Sequence, residues 1–126
     1  MVNYTVGDFL IRVKNAARAD RTDLTVNSTK LVKAIAECLK TEGFLSEVSV
    51  NEGKLTAKIA ISHKKPVLMD LTLISKPGLR VYRNIDELKL RKKGSSILIL
   101  TTPKGIISNK KAIKENVGGE VIAEIW

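Results

Sequence analysis

The chain has 126 residues, 44% of them hydrophobic, 28% charged and 4% aromatic, with 22 lysines and arginines against 13 acids for a net charge of +9. This suits one compact unit or two small lobes around an aliphatic core. No apolar run approaches the roughly 18–20 residues of a membrane span, the start MVNYTVGDFL lacks a secretory pattern, and Cys38 as sole cysteine excludes an internal disulfide.

In chain order, Thr5-Val6-Gly7-Asp8 reads as a capping box with Thr5 as the cap. Val6, Phe9, Leu10, Val13 and Ala17 follow at helical spacing as one apolar stripe. Arg12, Lys14, Asn15, Arg18 and Arg21 fall on the rest of the wheel, either as a solvated face or as a helix lying along phosphates. Residues 24–26 read as a short strand. Ser28 is expected to cap a second helix with Leu31, Ile35, Cys38 and Leu39 on its core face, stopped by Gly43. Cys38 then reads as a packed small hydrophobe. Residues 44–50 and 55–62 read as strands joined by the hairpin turn Asn51-Glu52-Gly53-Lys54.

His63-Lys64-Lys65-Pro66 is polar and closed by proline, a natural boundary between lobes spanning 1–64 and 67–126. Beyond it, residues 67–74 read as strand, Ser75-Lys76-Pro77-Gly78 as a type II turn and residues 79–82 as strand. Asp86 and Glu87 read as solvated loop acids and RKKGSS, residues 91–96, as a basic loop. Residues 97–100 form a continuous apolar run and hence a buried strand. Ser108 is placed to cap a short helix over 109–116 with Gly118 as its stop, and residues 121–126 close as strand. The expected fold is α/β in the α+β sense: an N-terminal α-β-α-β-β lobe and a C-terminal lobe that is mostly β with one short helix.

No enzyme constellation holds. There is no Gly-x-Ser-x-Gly, Pro103-Lys104-Gly105 lacks the spacing of a phosphate loop, and the lone His63 has no partners at metal-ligand spacing. The net positive charge is spread over both halves, which points to a polyanion. Too few aromatics exist for the sheet-type single-strand binders, so a structured RNA fits better. TTPKG, residues 101–105, has the means: hydroxyls on Thr101 and Thr102, a cation on Lys104, and close backbone approach at Gly105. The helix start after Ser108 offers amides to an anion, and Gly118-Gly119 removes side chains where another backbone could approach.

These residues resemble the bacterial ribosomal protein S-eight family, the eighth protein of the small subunit. The family ends on a Ser-Thr-Ser-Lys-Gly turn, a helix, Gly-Gly-Glu and a strand, matched by residues 101–126. SKPGLRVY (75–82), DFLIRVKN (8–15), Ser28-Thr29-Lys30 and EGF (42–44) also match, in order along the whole chain. The resemblance implies a non-enzymatic, cofactor-free and metal-free structural constituent of the small subunit, which binds a helical region in the central domain of its RNA and aids assembly. The partners implied are that RNA, neighbouring small-subunit proteins and, in some bacteria, the family's own messenger, which it represses. No membrane is involved. The protein is expected as a monomer off the ribosome, in the cytoplasm or in an organelle of bacterial origin. RNA contacts are carried over to Thr101, Thr102, Pro103, Lys104, Gly105, Gly118, Gly119 and Glu120, with Arg12, Lys14, Asn15, Ser28 and Lys30 as secondary contacts. Three departures stand out. Pro103 replaces a serine and offers neither hydroxyl nor N–H, Asn27 replaces a common proline, and the 63–66 connection is shorter than in many relatives.

Overall fold

The computed structural model describes residues 4–76, 78–91 and 96–126. Helix α1 (Tyr4–Arg18) is already helical at Tyr4, so Thr5 lies inside the first turn and is not the cap. Its stripe is the expected one: Val6, Phe9, Leu10, Val13 and Ala17 are all buried. Strand β1 (Asp23–Asn27) leads to α2 (Lys30–Thr41). The cap of α2 is Thr29, whose hydroxyl accepts from the Val32 amide, one residue beyond the expected Ser28. Gly43 follows the helix at φ +89, as the expected stop.

Strands β2 (Leu45–Asn51) and β3 (Lys54–Ile59) join through Glu52 and Gly53, both at positive φ, in the two-residue loop that matches strand twist. The sheet order is β1-β3-β2, all antiparallel. The strand expected to run to residue 62 breaks at Ala60. Instead β4 (Ile61–Ser62) and β5 (Lys65–Pro66) form a hairpin whose tip is His63-Lys64.

The next strand is shorter than its apolar run suggests. Only β6 (Leu71–Leu73) pairs, because residues 69 and 70 turn to hydrogen-bond the Trp126 carbonyl. Lys76 and Leu79 exchange two backbone hydrogen bonds around a turn with Gly78 at φ +82, while Pro77 lies outside the described residues. Strand pairing resumes at β7 (Tyr82–Arg83). Helix α3 (Ile85–Leu90) occupies the stretch read as loop acids. Asn84 caps it, and Glu87 reaches back to the Asn84 amide in a full capping box. Of the expected basic loop, residues 92–95 lie outside the described residues.

Strand β8 (Ile97–Thr102) turns into β9 (Gly105–Ser108), α4 (Asn109–Glu115) follows under the Ser108 cap, and β10 (Gly119–Ile125) closes the chain. Asn116, left-handed at φ +58, ends α4, so Gly118 is not its stop. The second sheet runs β6-β10-β8-β9, with β7 also paired to β10. Strand β8 is buried on both faces. Ile97 and Ile99 join the main core with α1 and α2, whereas Leu98 and Leu100 join a smaller core with Leu88 of α3 and Ala112 of α4. Asp70 ties β6 to α1: its carboxylate pairs with Lys14 at 3.3 Å and Arg18 at 3.2 Å and accepts from the Leu71 amide. That amide and the two cations hold the carboxyl below its usual range.

Candidate nucleic-acid interface

Strand order brings together segments far apart in sequence. Across one end of the second sheet, Arg83 faces Gly119, Tyr82 faces Glu120, Glu120 faces Thr101, and Thr102 faces Gly105. The 101–105 turn and the Gly-Gly-Glu segment therefore meet there, although α4 separates them in the chain. Directly opposed residues share a face. Tyr82, Glu120, Thr101 and Ile106 make one row, and Arg83, Gly119, Thr102 and Gly105 fall on the other face.

The turn holds itself shut. The Thr102 hydroxyl donates to the Gly105 carbonyl at 2.8 Å and accepts from the Lys104 amide at 3.1 Å, and the residue is 9% exposed. Its proton and one of its two lone pairs are used inside the turn, so the hydroxyl braces the turn. The Thr101 hydroxyl is buried and has no hydrogen-bond partner among the described residues. Pro103, Lys104 and Gly105 are exposed. Gly105 sits at φ +104 with open space where a side chain would stand. Among the described residues no carboxylate pairs with Lys104.

Gly118 and Gly119 are required by the protein's own backbone. A Cβ at Gly119 would stand 2.0 Å from the Thr101 carbonyl oxygen, and one at Gly118 would stand 2.4 Å from that of Arg83. Glu120 is 5% exposed, and Arg80 donates to its carboxylate at 3.4 Å. The start of α4 does not offer the anion site expected of it. Ser108 is 1% exposed, its hydroxyl accepts from Lys111, and it pairs with Ile99 at the far end of β9 from the turn.

The secondary residues lie on the other half. Arg12 pairs with Asp8 at 3.3 Å and Lys14 with Asp70. Asn15 is exposed in a cavity of about 360 Å³ shared with Arg12 and Arg21, and Arg12 also lines a neighbouring cavity of about 430 Å³ with Asn27 and Lys54. Ser28 is half-buried and donates its amide to Gly53, and Lys30 is exposed at the start of α2. None of these residues approaches the sheet end through a bond to 101–105.

Burial pushes the Cys38 thiol up to about 12, far from a thiolate nucleophile. No group of three or more potential metal ligands exists among the described residues, and no described helix is long and apolar enough to cross a membrane. Sequence reasoning passed over Tyr82 and Arg83. The signal was present, since SKPGLRVY had no function attached, but only strand pairing puts its end beside the turn.

A sequence model of the family described as Ribosomal protein S8 matches residues 4–126. The chain is 39% identical over 130 residues to the small ribosomal subunit protein uS8 of Microcystis aeruginosa, covering 98% of each chain. It is 40% identical to that of Streptococcus pneumoniae, covering 96% of each, and 37% identical to that of Persephonella marina over the full length of both.

Proposed function

The chain belongs to the ribosomal protein S8 family and is a structural constituent of the small ribosomal subunit, not an enzyme, and from that premise we propose that it holds a helical region in the central domain of small-subunit ribosomal RNA and so aids assembly. The observation that carries this reading is the sheet end itself. A braced turn presents a lysine with no carboxylate partner among the described residues and an open glycine beside two glycines that keep the surface low. RNA minor grooves are wide and shallow, so a low, rigid, basic edge can reach their sugars and phosphates. In this reading Lys104 meets a phosphate, Gly105 and the Pro103 carbonyl approach the backbone, and Thr102 holds the turn in shape. Arg12, Asn15 and Lys30 supply weaker contacts from the other half.

The test is equilibrium binding across a salt series, on the central-domain helix and on a scrambled hairpin of equal length. The reading expects a preference for the real helix that survives rising salt. Lys104→Ala should weaken binding with the fold unchanged and lower the salt slope by about 0.7–0.9, the value of one phosphate contact. Equal binding to both RNAs, lost together with salt, would reduce the interface to a generic basic surface.

A further inference from the structure

Resting on the RNA role proposed above, we infer that the β4–β5 hairpin is a separate nucleic-acid contact: Lys64 and Lys65 at its tip take phosphates of an RNA segment other than the one held at the 101–105 turn.

The hairpin stands outside the packed body. Strands β4 and β5 form a two-stranded sheet of their own, with Ile61 opposite Pro66 and Ser62 opposite Lys65. Its base is tied by the Ala60 amide to the Phe44 carbonyl and by the Val67 amide to the Ala60 carbonyl. Residues 61–65 are all exposed, and none of residues 61–66 belongs to either core cluster. A hairpin this short and isolated contributes little stability of its own.

Its turn is a poor choice for a loop that only connects. His63 at φ +53 and Lys64 at φ +66 both occupy the left-handed region, the geometry of a two-residue hairpin loop that Asn-Gly fits without strain. A β carbon at each position makes this conformation unfavourable. The loop at Glu52-Gly53 places glycine second, at φ +76. Here the second position carries a lysine, and Lys65 follows it. No carboxylate pairs with Lys64 or Lys65 among the described residues, so a phosphate displaces no ion pair on reaching them. Strain that the fold does not require points to a task for the side chains it displays.

Strand β10 fixes the distance between the two sites. Glu120 near its start faces Thr101, while Trp126 just past its end exchanges backbone hydrogen bonds with Asp70, close in sequence to the hairpin. From Glu120 to Trp126 an extended chain advances about 20 Å. The turn and the hairpin therefore lie at opposite ends of the second sheet.

The experiment measures salt slopes on the isolated central-domain helix and on the complete central-domain RNA. The native protein should show the steeper slope on the complete RNA. Lys64→Gly and Lys65→Ala should each lower that slope by about 0.7–0.9, the value of one phosphate contact, and leave binding to the isolated helix unchanged. Lys104→Ala should weaken binding to both. Lys64→Gly also relaxes the turn, so its melting temperature should equal or exceed the native value while its affinity for the complete RNA falls. Loss of folding cannot produce that pair of results. An unchanged slope on the complete RNA, or an equal loss on the isolated helix, would overturn the inference. So would native RNA binding by both variants with poor incorporation into subunits, which would assign the hairpin to a protein neighbour. Failure of the native protein to prefer the central-domain helix over a scrambled hairpin would instead defeat the underlying RNA reading.

Discussion

The exposed face of α1 and the end of the second sheet both carry cations, but they hold them differently. On α1, Arg12 is paired with Asp8 while Lys14 and Arg18 share Asp70. At the sheet end, Lys104 stands on a turn closed by Thr102, with no carboxylate paired to it among the described residues. A net charge of +9 counts these lysines and arginines alike. Pairing decides which of them a phosphate can recruit without first displacing a carboxylate. Lys14 and Arg18 tie α1 to the Asp70 that precedes β6, Arg12 is held within α1, and the turn lysine has no such carboxylate among the described residues.

The largest expected effect lies at the sheet end and is structural. Gly119→Ala places a methyl 2.0 Å from the Thr101 carbonyl oxygen. Relief requires β8 and β10 to part, which should cost about 3 kcal/mol in denaturant unfolding. Equivalent alanine substitutions on the α1 face should cost a few tenths of a kcal/mol at most. A Gly119→Ala protein of native stability would mean that the strands are not held this close, and the contrast between a rigid end and a tolerant face would fail.

Thr102→Val comes next. It deletes the hydroxyl that serves both Lys104 and Gly105, so the expected loss is about 1–2 kcal/mol in stability. RNA affinity should fall on real and scrambled targets alike, because the turn loosens as a whole. Loss confined to the real helix, with stability intact, would instead make the hydroxyl a direct contact.

That distinction shows where the sequence stopped being informative. The apolar stripe of α1, the hairpin at Glu52-Gly53 and the buried run of β8 were legible because periodicity and turn chemistry are local. The pair Gly118-Gly119 was legible as a place of close approach, but the approaching backbone proved to be Arg83 and Thr101, which only sheet order reveals. Helix α3 was within reach: Asn84 and Glu87 stand at capping-box spacing and Ile85 and Leu88 at helical spacing, yet the adjacent acids read as loop. Strand β9 was hidden inside a turn motif. Tyr82 read as the end of a strand over 79–82, but its nearness to Thr101 is made by β10 coming between them. Local signals survive reading in one dimension, and sites assembled across strands do not.

The Asp70 clasp predicts an acid sensitivity for the α1 side of the comparison. Its carboxyl is held below the ordinary value of 3.8. A depressed carboxylate contributes stability above its unfolded value, and that contribution is lost as pH falls through the lowered folded value. Melting temperature should therefore drop on acidification below about pH 4, and Asp70→Asn should flatten that portion of the curve. Identical pH profiles for both proteins would show that the clasp does not couple α1 to β6 energetically.

The smallest expected effect is the sharpest probe of availability. Arg12 lines the α1 cavities but is held by Asp8 one helical turn away. Both partners are more than half exposed, so the pair itself stabilises the helix by only about 0.3–0.5 kcal/mol. Arg12→Ala should weaken RNA binding by less than Lys104→Ala does, because recruiting Arg12 means giving up that pair. Asp8→Asn should strengthen binding, and more so with Arg12 present than in an Arg12→Ala background, since only then is a cation released. Binding measured around this two-residue cycle at low salt separates the release of Arg12 from the simple removal of a negative charge. If Asp8→Asn helps equally in both backgrounds, pairing does not govern which cations the RNA uses, and α1 and the sheet end differ in geometry alone.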